Sequence, residues 1–388
     1  MLAPEPFFEP RGTPFSEYHR IKALVELGHH VDLVTYPFGA DVALPNLRII
    51  RAGRPPGLTR VPIGPSWSKV LLDGYLIVTA LRQAGRRKYD AVHSHEEAGL
   101  LGVWLSRRLG IPHLYDMHSS LPQQLTNFRF ARNRLLRRAF ERMEHSTIFG
   151  SDVVITICQD LFDHVHGMGA GERALLIENV MGGDVEEAPQ LTPAGVRERW
   201  GIPATAPLAL YTGTFEAYQG LELLFAAMAV ARRTRPDVRL LVVGGRPDQV
   251  EAMRARAEAL GAPATFTGNQ PARDIPAYVE AADVLTSPRI AGTNTPLKIY
   301  SYLRAGKPIV ATDLLTHTQV LDRDTALLVT PEPQAFAAGI VRVLEDPALA
   351  ERLGSAAAER ASSRYSREEY LARTRRACER LAAAALPA

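Results

Sequence analysis

Short, continuously apolar runs alternate with stretches of helical period through most of the chain. In the first half the runs are His29–Tyr36, Asp90–His95, Pro112–Ser119, Asp152–Ile157 and Arg173–Val180. Between them, Pro14–Gly28 places Tyr18, Ile21, Leu24, Val25 and Leu27 on one helix face, and Glu96–Gly110 and Ala131–Ser151 read as further helices. After a Pro-, Glu- and Thr-rich link near residues 183–195 the pattern restarts. Runs at Pro207–Phe215, Val238–Gly245, Ala264–Asn269, Asp283–Pro288, Pro308–Asp313 and Thr325–Thr330 alternate with helical stretches, and helices fill the rest of the chain. A strand buried on both faces carries a continuous apolar run, and a helix after each strand covers a parallel sheet. The expectation is an α/β chain of two doubly wound, Rossmann-like domains, 1–183 and 184–360, with a C-terminal helix over 361–388 crossing back to the first. Only Met1, Leu2 and Ala3 precede Pro4, so the first strand is expected to be very short or to lack an upstream segment.

A chain of 388 residues has room for two sizeable cores. Formal net charge is only +3, but residues 51–150 hold 16 Lys and Arg against 7 Asp and Glu. That imbalance points to an anionic partner or a membrane surface. Within it, Asn127–Arg142 interleaves Phe128, Phe130, Leu135, Leu136 and Phe140 with six arginines. It reads either as a helix docking on anionic lipid or as an amphipathic helix with its arginines in water. Such interleaving is confined to that stretch, so nucleic acid is not an expected partner. Two cysteines, Cys158 and Cys378, make no disulfide framework, and both read as core or surface thiols. No run approaches the roughly 20 apolar residues of a membrane helix, and no basic start leads into an apolar core. The expected location is cytoplasmic, with peripheral attachment at the inner membrane face as its extension.

In doubly wound folds ligands sit beyond the carboxyl ends of the strands, which directs attention to the strand–helix loops. Gly12 precedes a helix, where it serves either close backbone approach to an anion or a plain turn capped by Ser16. Asp116 and His118 end a strand, where a histidine serves a substrate hydroxyl or a structural bond. Thr212, Gly213 and Thr214 form a tight strand–helix turn, and Arg246 follows the next strand, without dinucleotide-fingerprint spacing. The richest stretch is Thr286–Asp313. There Thr293 or Asn294 would cap a helix that Pro296 enters near its first position. Free N–H groups of Thr295, Leu297 and Lys298 would then meet a phosphate, with Arg289 and Lys298 adding charge. The bland alternative is a capped surface helix with two solvated cations. No metal-ligand cluster, serine nucleophile elbow or phosphate-binding Walker loop is visible.

The order of these pieces resembles the GT-B glycosyltransferases, specifically the large retaining family 4, over nearly the whole chain. The stretches "RGTPFSEYHRIKALVELGHHVDLVT", "DAVHSHEEAGLLGVWLSRRLGIPHLYDMH", "YTGTFEAYQGLELLFAAM" and "PLKIYSYLRAGKPIVATD" carry the resemblance. It implies two domains facing across a cleft. It also implies transfer of a hexosyl unit from a nucleotide-diphosphate sugar to a hydroxyl of a glycan or lipid-linked acceptor, with retention. No metal or other cofactor is implied. By resemblance, Gly12 approaches the donor phosphate, His118 lies near the transferred sugar, and Gly213 with Thr214 lines the donor loop. Gly268, Asn269 and Gln270 fall where the base is read. The family's diphosphate-clamping arginine and lysine fall on Thr214 and Gln219, and its two glutamates on Thr293 and Ser301, so those four side chains are absent. The expectation is that Arg289 and Lys298 replace the clamp, above the backbone of Asn294, Thr295, Pro296 and Leu297, while Asn294 or Ser301 bonds sugar or ribose hydroxyls. A silent GT-B binding subunit and a sugar-nucleotide epimerase are the competing expectations.

Overall fold

The computed structural model describes residues 1–8, 12–59, 61, 66–122, 134–179 and 189–385. The chain divides into two compact units, Met1–Asn179 with Glu368–Ala388, and Val180–Arg367.

The first unit is built on β1 (Leu2–Ala3), α1 (Gly12–Glu26), β2 (Val31–Thr35), β3 (Leu47–Arg51), α2 (Trp67–Ala84), β4 (Val92–His95), α3 (Gly99–Leu109), β5 (His113–Met117), α4 (Arg134–Gly150), β6 (Val153–Thr156), α5 (Gln159–Gly167) and β7 (Ala174–Leu176). Its seven strands are parallel in the order β3-β2-β1-β4-β5-β6-β7. β1 has two residues yet lies mid-sheet: Leu2 pairs with Val34 on one side and Ser94 on the other. The terminal amino group extends that edge by donating to the Asp32 carbonyl at 2.8 Å.

The second unit comprises α6 (Pro193–Arg199), β8 (Leu208–Thr212), α7 (Leu221–Thr234), β9 (Arg239–Val243), α8 (Pro247–Ala259), β10 (Ala264–Gly268), α9 (Ile275–Ala281) and β11 (Val284–Ser287). It continues through α10 (Lys298–Arg304), β12 (Ile309–Thr312), α11 (Leu315–Thr318), β13 (Leu327–Val329), α12 (Pro333–Glu345) and α13 (Pro347–Arg364). Its parallel order is β10-β9-β8-β11-β12-β13, so consecutive strands reverse direction of growth between β8 and β11. Every residue of β8, β11 and β12 is buried, the signature of strands covered on both faces. The last helix, α14 (Arg367–Ala384), packs in the first unit: Thr374 accepts from Arg20, and Arg373 pairs with Glu178 at 3.1 Å.

Two local expectations are corrected. α1 starts at Gly12 itself, so Ser16 lies inside the helix and is buried, not at its cap. α10 starts at Lys298, not near Pro296, and Leu297 occupies its cap without a side-chain bond. The basic stretch 127–142 falls outside the described residues as far as residue 133. From Arg134 onward it is helix, with Leu135 and Arg137 exposed.

Candidate functional site

Two polar clusters sit at the carboxyl ends of the two sheets. In the first unit, parallel register sets His95 of β4 beside Asp116 of β5. His118 follows β5, and its Nε2 lies 3.3 Å from Asp116 Oδ1 and 3.2 Å from His95 Nδ1. α1 contributes Arg20, whose Nε donates to Asp116 Oδ2 at 2.9 Å, and Glu17, whose Oε1 lies 3.9 Å from His95 Nδ1. The arginine is held from behind by Thr374 Oγ1 at 3.2 Å and lies over the Tyr370 ring, both on α14. The chain leaves β4 through Glu96 at φ 46°, a left-handed conformation that a non-glycine residue adopts only under constraint.

Electrostatics divide these groups. Burial pushes the Asp116 carboxyl up, but Arg20 first and then His118 and His93 hold it well below the ordinary range. Burial pushes His118 down, yet the charge and hydrogen bond of Asp116, with Glu96 and Glu5, raise it above the usual imidazole value. His95 is held well below that value by burial and by His93. Glu17 is raised well above the carboxylate range by burial, then by Glu5 and Asp116, and Glu96 is raised to about 8 by burial and Glu97. The cluster therefore holds one charged carboxylate, an arginine and a histidine that protonates readily, beside carboxyls that keep their protons.

The sequence showed His118 and Asp116 but not His93, His95, Glu17 or Arg20. A His-Ser-His alternation on a strand was the available signal, since alternate strand residues share a face. His93, His95 and Asp116 offer ligand atoms within 4.8 Å of one another, where no metal cluster was expected. A cation there would share Asp116 with Arg20, and that like-charge contact disfavours it.

In the second unit, β8 is followed by Gly213 at φ 140°, and the loop after β9 bends through Gly244 at φ 120°. The two turns lie backbone to backbone: a Cβ on Gly244 would stand 2.0 Å from the Gly213 carbonyl oxygen. The close approach requires glycine at 244, and the positive φ favours it at 213. Tyr211 donates to the Thr214 carbonyl at 2.7 Å, and its ring supports Lys298, whose Nζ lies 3.7 Å from the ring centroid. Arg289 follows β11, lies over Tyr218 at 4.9 Å, and donates to Thr316 Oγ1 at 2.6 Å and to the Asn294 carbonyl. Four buried polar atoms here have no hydrogen-bond partner among the described residues: Gln219 Oε1, Arg289 Nε, Thr295 Oγ1 and Lys298 Nζ. Buried polar groups are normally satisfied, so such a group marks a place built to receive one. Burial lowers Arg289, and burial with the charge of Arg289 holds Lys298 well below the lysine range.

The expected donor residues are thus partly gathered. Contacts join Gly213 and Lys298, Arg289 and Asn294, and Gln219 follows the Tyr218 beneath Arg289. Pro296 and Leu297 accept from Ile299 and Tyr300 as α10 begins, and Ser301 donates its hydroxyl to the Lys298 carbonyl. Arg246, paired with Asp248 at 3.4 Å, and Asn269 stand exposed after β9 and β10 on the same sheet edge. Gly12 opens α1 in the other unit. Tyr211, Tyr218 and Thr316 were not anticipated; aromatic residues at strand ends read as core. A groove of about 540 Å³ beside α7 and α12, lined by Val230, Thr234, Ala337 and Arg342, gathers no comparable set of groups.

Comparison with known proteins matches both units. The family model described as "Glycosyl transferases group 1" covers residues 206–346, and the "Glycosyl transferase 4-like domain" covers residues 18–179. The chain belongs to the group 1 glycosyltransferases. It is similar to the phosphatidyl-myo-inositol mannosyltransferase of Mycobacterium leprae (strain TN), 27% identical over 364 residues, 92% of this chain and 90% of that protein. It is 26% identical to the alpha-D-kanosaminyltransferase of Streptomyces kanamyceticus over 78% of this chain and 79% of that one. Among solved structures, sucrose-phosphate synthase from Thermosynechococcus elongatus superposes with a TM-score of 0.78 at 23% identity, covering 99% of both chains. Anabaena HepE in complex with UDP-glucose superposes with a TM-score of 0.72 at 19% identity, covering 98% of this chain and 99% of that one. The shared architecture is GT-B: two parallel-sheet, Rossmann-like domains. The enzyme is a glycosyltransferase.

Proposed function

We propose that this glycosyltransferase moves a hexosyl unit from a nucleoside-diphosphate sugar to the hydroxyl of a lipid-linked or glycan acceptor, with retention. The second unit would hold the donor and the first the acceptor. The carrying observation is the orphaned polar set around Arg289 and Lys298 at the carboxyl ends of β8 and β11. A diphosphate supplies the acceptors that Arg289 Nε, Thr295 Oγ1 and Lys298 Nζ lack. Charge grows on the departing phosphate in the transition state, where fixed cations in a dry site are worth most. Arg289 is pre-aimed by Tyr218, Thr316 and the Asn294 carbonyl, so little reorganisation opposes its action. His118, charged readily by Asp116, would bond a hydroxyl of the transferred sugar or the acceptor. The chemistry asks for no metal, and retention follows from same-face attack with the leaving phosphate accepting the acceptor's proton. The relatives favour this reading: one is named a phosphatidyl-myo-inositol mannosyltransferase, and Anabaena HepE was solved with UDP-glucose.

A lipid-linked acceptor places the enzyme at a membrane surface, and α2 supports that placement better than the basic stretch 127–142. The buried side of α2 is Leu72, Leu76 and Ala80. Its outer side is apolar as well, with Trp67 86% exposed, Val70 and Leu71 59%, and Val78 and Leu81 alongside. Arg82, Arg86, Arg87 and Lys88, all exposed, close its C-terminal end. An apolar stripe bordered by cations fits an anionic lipid surface. Among the described residues no helix is long and apolar enough to cross a membrane.

The test is a transfer assay offering UDP-, GDP- and ADP-sugars with lipid and soluble glycan acceptors, with the anomeric configuration of the product read by NMR. Transfer from one nucleotide family with retained configuration supports the reading. Product of inverted configuration, or free nucleotide released without any acceptor, contradicts it.

A further inference from the structure

Lys298 is an unusual lysine. Its stem keeps some exposure, but its Nζ is shielded, makes no hydrogen bond and pairs with no carboxylate among the described residues. The groups facing it are the ring of Tyr211 from β8, Arg289 from the loop after β11 and His317 from α11. Tyr302 of α10, with Tyr218 and Glu216 from the loop after β8, forms the next ring, acting on Tyr211. The nearest charge is thus a guanidinium. His317 is fixed as a neutral imidazole, bonded to Ser287 Oγ at 2.8 Å and to Thr312, with burial pushing it down to about 3. The Nζ lies 3.5 Å from the Cβ position of Gly213, where no side chain stands between it and the turn.

A desolvated ammonium beside an arginine is strongly disfavoured, whereas an ammonium between an arginine and an anion is not. We infer that Lys298 rests as a neutral amine and is protonated when a nucleoside-diphosphate sugar enters, so that donor binding takes up one proton from solvent. The arriving diphosphate brings about two negative charges, which Arg289 alone leaves half matched. The proton comes from buffer onto Nζ, the new ammonium donates to a phosphoryl oxygen, and release of the nucleotide returns the proton. The site therefore does not repel itself when empty, and it gains its second cation only with ligand present. This inference rests on the donor-site reading above, and it assigns Lys298 a state that a permanently charged clamp would not have.

The test is calorimetric titration of the full chain with UDP-glucose and with GDP-mannose at about pH 8, in buffers of different ionisation enthalpy. These diesters lack the terminal phosphate group that titrates near pH 6, so the ligand itself takes up no proton. The observed enthalpy should vary with buffer enthalpy with a slope near one proton taken up. Affinity should fall about tenfold per pH unit above the point where the free amine is neutral. Lys298→Arg, which carries its charge permanently, should bind without uptake and with little pH dependence. Lys298→Met should bind more weakly, also without uptake, and a circular dichroism melt checks that each variant is folded. Binding by the unaltered chain with no buffer dependence overturns the inference and leaves the donor site standing. Uptake that persists in folded Lys298→Met overturns the assignment to Lys298. Binding of neither sugar nucleotide overturns the donor-site reading and this inference together.

Discussion

The two polar clusters occupy equivalent places, at the carboxyl ends of parallel sheets, and solve the problem of buried charge in opposite ways. Around His118 every strong charge has a counterpart: Arg20 answers Asp116, Asp116 answers His118, and Glu17 keeps its proton. Around Lys298 nothing among the described residues answers: Arg289 bonds only neutral oxygens and a ring face, and the lysine bonds nothing. A charge-balanced cluster needs no counter-ion, although Glu17 Oε1 and Oε2 and the Nε2 atoms of His93 and His95 stand without hydrogen bonds among the described residues, and it suits a group that must hold its protonation state while neutral hydroxyls come and go. An unbalanced cluster is complete only with an anion in it. The comparison supports the proposal that the anionic donor binds the second unit and that the hydroxyl chemistry belongs to the first.

The largest effect that would break this division is at Arg289. Arg289→Ala should lower kcat/KM by about 10²–10³-fold, since it removes a preorganised cation from developing phosphate charge. Nucleotide-sugar affinity should fall with it. Unaltered steady-state kinetics would remove the second unit's cluster from the donor site. Next comes Asp116→Asn. It strips His118 of its counter-charge and should lower kcat by about 10²-fold while leaving nucleotide-sugar affinity, measured by calorimetry, within about twofold. A parallel loss of nucleotide affinity would show that the clusters are not separable as drawn.

A smaller effect sharpens the balance within the first unit. The Glu17 carboxyl is raised in the folded chain, so the folded state keeps a proton that the unfolded state loses above about 4.5. The penalty is absent below that pH and grows as pH rises until the folded group also ionises. Glu17→Gln should therefore leave the melting temperature unchanged at about pH 4 and raise it by a few degrees at about pH 8. Glu96, raised to about 8, contributes over the same window. An increase confined to acid pH would reverse the sign of the argument. The mildest perturbation is on the surface. Trp67→Ser with Leu71→Ser should reduce flotation with anionic vesicles several-fold, with transfer to a soluble acceptor unchanged. Full flotation would shift attention to the exposed arginines of α4, Arg137 and Arg138.

Much of the fold was legible because parallel strands and their covering helices differ in period, and eleven of the expected runs fall on β2 and on β4–β13. β3 was not, since Leu47–Arg51 is half-buried throughout and ends in arginine, without the apolar run of a covered strand. α2 was not read as a helix, because residues apolar on both of its faces mask its amphipathic period. The start of α10 was misread for a tertiary reason. Pro296 and Asn294 carry strong local start signals, but Arg289 and Thr316 both hold the Asn294 carbonyl, which keeps it from a helical partner. Local propensity yields to such contacts. Arg289 and Lys298 were conspicuous in the sequence, while the shielding of Lys298 Nζ involves the Tyr211 ring, which lies far from it along the chain. His95 and Glu17 escaped notice because sheet register and helix packing bring them to Asp116.

The most direct test of the division is amide hydrogen exchange on the full chain with and without saturating nucleotide sugar. The account predicts added protection in residues 211–220 and 289–301, with residues 92–96 and 113–119 unchanged until an acceptor is added. Protection appearing first around His118, with the Arg289 and Lys298 segments unaffected, would contradict it.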